Sequence, residues 1–150
     1  MIYDWVCNMT DDDFMRLACG EASRCASSMT AYNVGAVVVG KNGAVLATGY
    51  SRELPGNTHA EECALAKLAP GQAVGSTMYS TMEPCSRRLS GAPPCAGRII
   101  EAGVARVVIA IFEPPRFVAN CDGVMILRAA GVQVRGHASH GAWCNTRMSY

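Results

Sequence analysis

The sequence has no apolar run approaching the roughly 20 residues of a membrane-spanning helix, and its N-terminus lacks the basic-then-apolar layout of a secretory leader. It also lacks any run of Lys and Arg. The formal net charge is +1 at pH 7, so neither a nucleic-acid footprint nor one for an anionic membrane is present. There is no internal repeat, no low-complexity tract and no obvious linker. The expectation is a cytoplasmic protein with no nucleic-acid and no membrane partner. Histidine is scarce as well, with three in 150 residues, so the place of each one carries information.

What is present fits one globular domain. The chain is 50% hydrophobic, and its length is enough to bury a proper core. A core over about residues 10–136 and a tail over 137–150 are expected. Cysteine is abundant, at eight. Cys19, Cys25 and Cys63 fall within helical patterns, and with no secretory leader they read as reduced thiols rather than a disulfide scaffold. Metal binding would account for a subset.

Thr10 and three following aspartates open a helix expected over Asp11 to Ser27. "NVGAVVVGKNGAVLATGY" predicts a β-hairpin turning at Asn42-Gly43. A helix follows over His59 to Leu68, then a strand over Ser76 to Met82. A helix begins after Pro93-Pro94 and ends at Gly103. A buried strand (Ala105 to Phe112), a helix stopped by Gly131 and a short final strand complete the chain. The order α-β-β-α-β-α-β-α-β implies a mixed sheet covered by helices.

"GNTHAEECAL" places His59 and Glu61 at a helix start. Alone, Thr58-His59-Ala60-Glu61 is a capping box, with Thr58 at the N-cap and Glu61 three residues on. Downstream, "TMEPCSRRLSGAPPC" supplies Cys85 after a proline and Cys95 at the next helix start. One imidazole and two thiolates match a catalytic zinc site, which takes three protein ligands and leaves the fourth position to water. Two thiolates cancel the charge of Zn2+, so a carboxylate is needed to take the water's proton, and Glu61 is placed for it. His-x-Glu, a strand, Pro-Cys and a second Cys occur in the order of the zinc-deaminase signature. The departure is the nine residues between the cysteines, where that signature has a short Pro-Cys-x-x-Cys. Because zinc ligands anchor both ends of that loop, Arg87 and Arg88 are candidates for a substrate phosphate. Arg52 in "GYSREL" is a weaker candidate, and Glu83 is read as orienting the loop. His137, His140 and Cys144 invite a second metal site, but the segment has no clear secondary structure and no fourth ligand, and reads as a surface tail.

On "NVGAVVV", "GNTHAEECAL" and "TMEPCSRRLSGAPPC", with "FEPPRFV" as a weaker match, the chain resembles the cytidine deaminase-like superfamily over about residues 30–120. Within it, the chain is most similar to the pyrimidine deaminases of riboflavin biosynthesis, which share the lengthened inter-cysteine loop. "HAEEC" and "RRLSG" resemble the fungal type. The resemblance implies a three-layer α-β-α fold with a mixed five-stranded sheet and helices on both faces. It also implies zinc-dependent hydrolytic deamination of 2,5-diamino-6-ribitylamino-4(3H)-pyrimidinone 5′-phosphate, with Zn2+ on His59, Cys85 and Cys95 and Glu61 as the proton shuttle. Asn33 stands where related enzymes place a substrate-contacting asparagine. Relatives often dimerise, so a homodimer is expected. Of the two loop arginines, Arg88 is favoured for the phosphate because "RLSG" carries the fungal-type likeness. Two other readings compete: a deaminase of the ribosylamino form or of another nucleobase or nucleotide, and a non-catalytic zinc-stabilised scaffold. Glu61 argues against the scaffold, because a structural site needs no proton shuttle.

Overall fold

The computed structural model describes residues 8–26, 28, 31–112 and 122–137. The elements are α1 (Asp11–Ala22), β1 (Gly35–Val39), β2 (Val45–Tyr50), α2 (Ala60–Ala66), β3 (Thr77–Met82), α3 (Cys95–Glu101), β4 (Arg106–Ile111), α4 (Gly123–Ala129) and β5 (Gln133–Gly136). They form one sheet in the order β2-β1-β3-β4-β5. β1 runs antiparallel to β2 and β3, and β3, β4 and β5 are parallel.

Side-chain alternation in the central strands builds the layers. Ala36 and Val38, Met78, and Val107 and Ile109 join a cluster with Ala60, Ala64, Ala96, Ile99 and Leu127, which come from α2, α3 and α4. Their sequence neighbours Val37, Val39, Tyr79 and Val108 face the other way, onto Phe14, Met15 and Ala18 of α1. Period-two strands with both faces apolar must be covered on both sides. The result is the expected α-β-α sandwich, with α1, among the described residues, alone on one face.

Two close approaches position the later helices. A Cβ on Gly49 would stand 2.3 Å from the Ala60 carbonyl oxygen, so β2 lies directly under the start of α2. A Cβ on Gly123 would stand 2.1 Å from the Pro84 oxygen, which seats the start of α4 against the end of β3. Only glycine permits backbones to meet this closely.

Three expectations are corrected. α1 ends at Ala22 rather than Ser27, where Ser23 donates its hydroxyl to the Gly20 oxygen at 2.6 Å and competes for the helix's own acceptors. Cys25, Cys63, Cys85 and Cys95 are free thiols, but Cys19 is disulfide-bonded. His137 is held by Asp12 of α1 through Nε2 and Oδ1, which ties it to the fold rather than to the tail. His140, Cys144 and most of "FEPPRFV" lie outside the described residues.

α1 is clamped to the sheet by Asp11. Tyr79 donates to its Oδ1 at 2.7 Å, and Arg106 donates to both oxygens, with Nη1 at 3.1 Å from Oδ1. Arg106 holds the Asp11 carboxyl below its usual range, against the opposing effect of burial. Burial, with the Asp11 charge beside it, pushes Tyr79 up to about 12. A carboxyl whose folded pKa is depressed stabilises the fold fully above its unfolded value and loses that contribution as pH falls through the folded value. Asp11→Asn should therefore cost about 1–2 kcal/mol near neutral pH. The difference from the parent should shrink below about pH 4, as chemical denaturation at both pH values would show.

Candidate metal and catalytic site

The site forms where the C-terminal end of β3 meets the first residues of α2 and α3. His59 is the N-cap of α2, with an extended backbone at φ −90° and ψ 158°. Cys85 follows β3 by three residues, and Cys95 is the first residue of α3. The Cys95 amide donates to Cys85 Sγ at 3.2 Å, and the Ala96 amide to the Cys85 carbonyl at 3.0 Å. These bonds close the nine-residue loop into a tight return. His59 Nδ1 lies 3.4 Å from Cys85 Sγ and 3.5 Å from Cys95 Sγ.

That spacing is a test of fit. Zinc–nitrogen bonds of about 2.0–2.1 Å and zinc–sulfur bonds of about 2.3 Å, set at a tetrahedral angle, put nitrogen and sulfur about 3.5 Å apart. The three ligand atoms lie within 4.8 Å of one another, and no other such group is found among the described residues. The donor set therefore fits zinc.

The electrostatics agree. The Cys95 thiol, then His59 and the Cys95 amide, pull Cys85 down to about 4, although burial opposes them. Its hydrogen bond to Cys85, together with burial, pushes Cys95 well up. The pair thus holds one negative charge, and a divalent cation would draw off the second proton. Burial works to lower His59, but the hydrogen bond to Cys85 and the charge of Glu61 outweigh it and leave His59 raised.

The capping expectation is corrected by one residue. Thr58 is not the N-cap, and its hydroxyl donates to the Leu54 oxygen at 2.9 Å. The extended residue is His59, so the third helical position falls on Glu62, whose Oε1 accepts the His59 amide at 3.1 Å. The competing use for Glu61 disappears. Glu61 is 3% exposed, lines the cavity beside the ligand cluster, and is raised by burial. Ser80 Oγ stands 2.9 Å from Glu61 Oε1 and 2.7 Å from the Met82 oxygen, bridging the carboxyl to β3. Ser80 and Glu62 were not anticipated as site residues. A lone buried serine in the apolar strand "TMYSTM" was the available signal for the first.

A cavity of about 230 Å³ opens onto His59, Glu61 and Cys85. The four expected substrate contacts reach it differently. Arg52 lines it and adopts a left-handed φ of 63°, a strained value for a residue with a side chain. Its guanidinium donates to Asn33 Oδ1 at 2.6 Å and to the Ala26 oxygen at 2.7 Å. Asn33 is buried behind it. Arg87 is exposed at the cavity rim. Arg88 also borders the cavity, but its side chain is 6% exposed and bound to Glu62 and to the Asn57 oxygen, at 3.0 and 2.7 Å. Glu83 is buried in the wall, with its amide donating to Ile111 across the sheet.

Residues 8–111 match the model of the cytidine and deoxycytidylate deaminase zinc-binding region. The chain is 46% identical over 127 residues to the diaminohydroxyphosphoribosylamino-pyrimidine deaminase of Schizosaccharomyces pombe, which covers 82% of the chain and 31% of that protein. It is 40% identical over 126 residues to riboflavin biosynthesis protein RibD of Aquifex aeolicus, covering 83% of the chain and 34% of that protein. The chain thus spans about a third of the length of these curated relatives. Among solved structures it superposes on Aspergillus oryzae Rib2 deaminase in complex with DARIPP, with TM-score 0.74, 28% identity, and coverage of 87% and 86% of the two chains. Acinetobacter baumannii RibD gives TM-score 0.79 at 33% identity, over 91% of this chain and 38% of that one.

Proposed function

The chain belongs to the cytidine and deoxycytidylate deaminase family, whose domain binds zinc, and on that premise we propose that it deaminates 2,5-diamino-6-ribitylamino-4(3H)-pyrimidinone 5′-phosphate in riboflavin biosynthesis. One observation carries the reading. A buried carboxyl with raised proton affinity, Glu61, stands in the same cavity as a His-Cys-Cys cluster of zinc dimensions. A structural metal site has no use for such a group.

The residues divide the chemistry. His59, Cys85 and Cys95 would hold Zn2+, which when bound would supply Lewis acidity towards a water in the cavity. Glu61 takes the proton of that water as its oxygen bonds to the ring carbon bearing the amine. Glu61 returns that proton to the adjacent ring nitrogen, takes the second proton from the newly bonded hydroxyl, and passes it to the departing nitrogen as the C–N bond breaks, releasing ammonia and leaving a carbonyl. Ser80 holds Oε1 of Glu61 throughout. Burial of Glu61 keeps its proton affinity high enough to both accept and donate.

Asn33, Arg52, Arg87 and Arg88 form the substrate side. Arg88 is committed to Glu62 and Asn57, so the phosphate falls to Arg87, the exposed arginine of the same loop. A charged hydrogen bond of this kind is worth about 1.5–3 kcal/mol. Arg87→Ala should raise KM for the phosphorylated substrate roughly ten- to a hundred-fold. Turnover of the dephosphorylated compound should change little. Equal losses on both would make Arg87 a support of the loop. Ammonia release on the ribitylamino and ribosylamino phosphates, measured side by side, tests the main reading. Preference for the ribosylamino compound would reassign the substrate, and release from neither would reject the activity. The reading includes a single deaminase domain, a homodimer and a cytoplasmic compartment. Sedimentation tests the dimer. No helix among the described residues is long and apolar enough to cross a membrane.

A further inference from the structure

We propose that Glu62 is a positioning residue for the zinc site, a single carboxylate that ties together the three segments carrying the ligands. The inference rests on the assignment of zinc to His59, Cys85 and Cys95. Those ligands come from the start of α2, the end of β3 and the start of α3, the first pair separated by 26 positions in sequence and the second by 10. The Cys95 and Ala96 amides tie the two cysteines to each other, so what remains to be fixed is the place of His59 relative to them.

Glu62 bridges all three. Its Oε1 accepts the His59 amide at 3.1 Å and Arg88 Nη1, from the inter-cysteine loop, at 3.0 Å. Its Oε2 meets Arg98 Nη2, from the first turns of α3, at 2.8 Å. Both arginines are anchored a second time. Arg88 Nη2 donates to the Asn57 oxygen at 2.7 Å, two residues before His59, and Arg98 Nε donates to the Pro93 oxygen at 3.2 Å, two residues before Cys95. The side chains of Glu62 and Arg88 are 15% and 6% exposed, so water neither screens nor replaces these bonds to any great extent. Fixed this way, the backbone at His59 cannot drift from the loop and helix that hold the two thiols. Loss of the carboxylate leaves a buried guanidinium without its counter-charge and frees the three segments from one another.

Outer groups that orient metal ligands commonly change metal affinity about 10–100-fold when altered. Glu62→Gln keeps the shape and one acceptor but loses the charge and turns an amide N–H donor towards the Arg98 guanidinium, itself a donor. It should release zinc to a chelator about ten- to a hundred-fold faster than the parent. Arg98→Gln, on the more exposed arm, should speed release by a smaller factor. Glu53→Gln is the control. Glu53 pairs at 2.7 Å with Lys67, at the opposite end of α2 from His59, and is similarly shielded. It should leave zinc release unchanged. Parent-like zinc retention in Glu62→Gln, or equal acceleration in Glu53→Gln, would overturn the proposal. Zinc retention is read without substrate, so failure of the deaminase reading would appear separately, as a zinc-loaded parent that releases no ammonia. A parent that binds no zinc would end both.

Discussion

Glu61→Gln should retain its zinc and lose turnover by about 10²–10⁴-fold, the usual contribution of a general acid–base group. The amide preserves the size of a side chain that is 3% exposed, and its oxygen can still accept from Ser80. It cannot carry a proton. The helix start is untouched, because the cap is made by His59 and Glu62. Loss of activity therefore cannot be assigned to a frayed α2. Stability should move the other way or not at all. Burial raises the Glu61 pKa, so ionisation of the folded carboxyl costs stability as pH rises through that value. The neutral amide carries no such cost, and the melting temperature of the variant at pH 7 should match or exceed the parent's. The parent's rate should fall on the acid side of the raised Glu61 pKa, since the protonated carboxyl cannot take the proton of water. Unimpaired turnover in the variant would remove Glu61 from the chemistry and revive the scaffold reading.

The parts of this arrangement that were legible in the sequence are those set by local pattern. Apolar runs placed all five strands within a residue or two, most firmly the central β1, β3 and β4, which are buried on both faces and so have little freedom in where their pattern begins and ends. Pro94 and Gly103 bracketed α3 for equally local reasons. The zinc ligands were legible through motif order, and their positions at helix starts followed from the same punctuation. What was not legible depended on partners distant in sequence. In "THAEE" the cap register turns on whether Thr58 or His59 takes the extended conformation, and the two glutamates make either register workable. Glu62 won, which released Glu61 for the cavity. Of the adjacent Arg87 and Arg88, only the family resemblance favoured Arg88 for the phosphate, and no local pattern distinguishes the two. They separate only because Glu62, 26 residues before Arg88, captures one of them. The early end of α1 turned on a single serine hydroxyl finding a nearer acceptor.

Cys95→Ser should bring zinc from about one per chain to near zero and abolish ammonia release. Cys95 is fully buried at the first turn of α3, and among the described residues no cysteine but Cys85 joins it in the ligand cluster. A serine hydroxyl is a poor zinc ligand at neutral pH and leaves only His59 and Cys85, too few to hold the ion against competing water and buffer. The fold should suffer too, because the metal cross-links α2, β3 and α3. Each kcal/mol of lost zinc-linked stability should lower the melting temperature by roughly 2–4 °C, and excess zinc should not restore it. Chelation of the parent should reproduce both losses reversibly. Cys63→Ser separates this effect from simple damage to the core. Cys63 is equally buried, one helical turn beyond His59, but it is a free thiol outside the cluster. That variant should melt earlier yet keep its zinc. Thiol labelling gives an independent check. In the zinc-loaded parent, Cys85 and Cys95 should resist alkylation while the part-exposed Cys25 reacts, and chelation should expose Cys85 first, since its thiolate is already formed at neutral pH. Retention of stoichiometric zinc by Cys95→Ser would take this residue out of the metal site and require a ligand from outside the described residues.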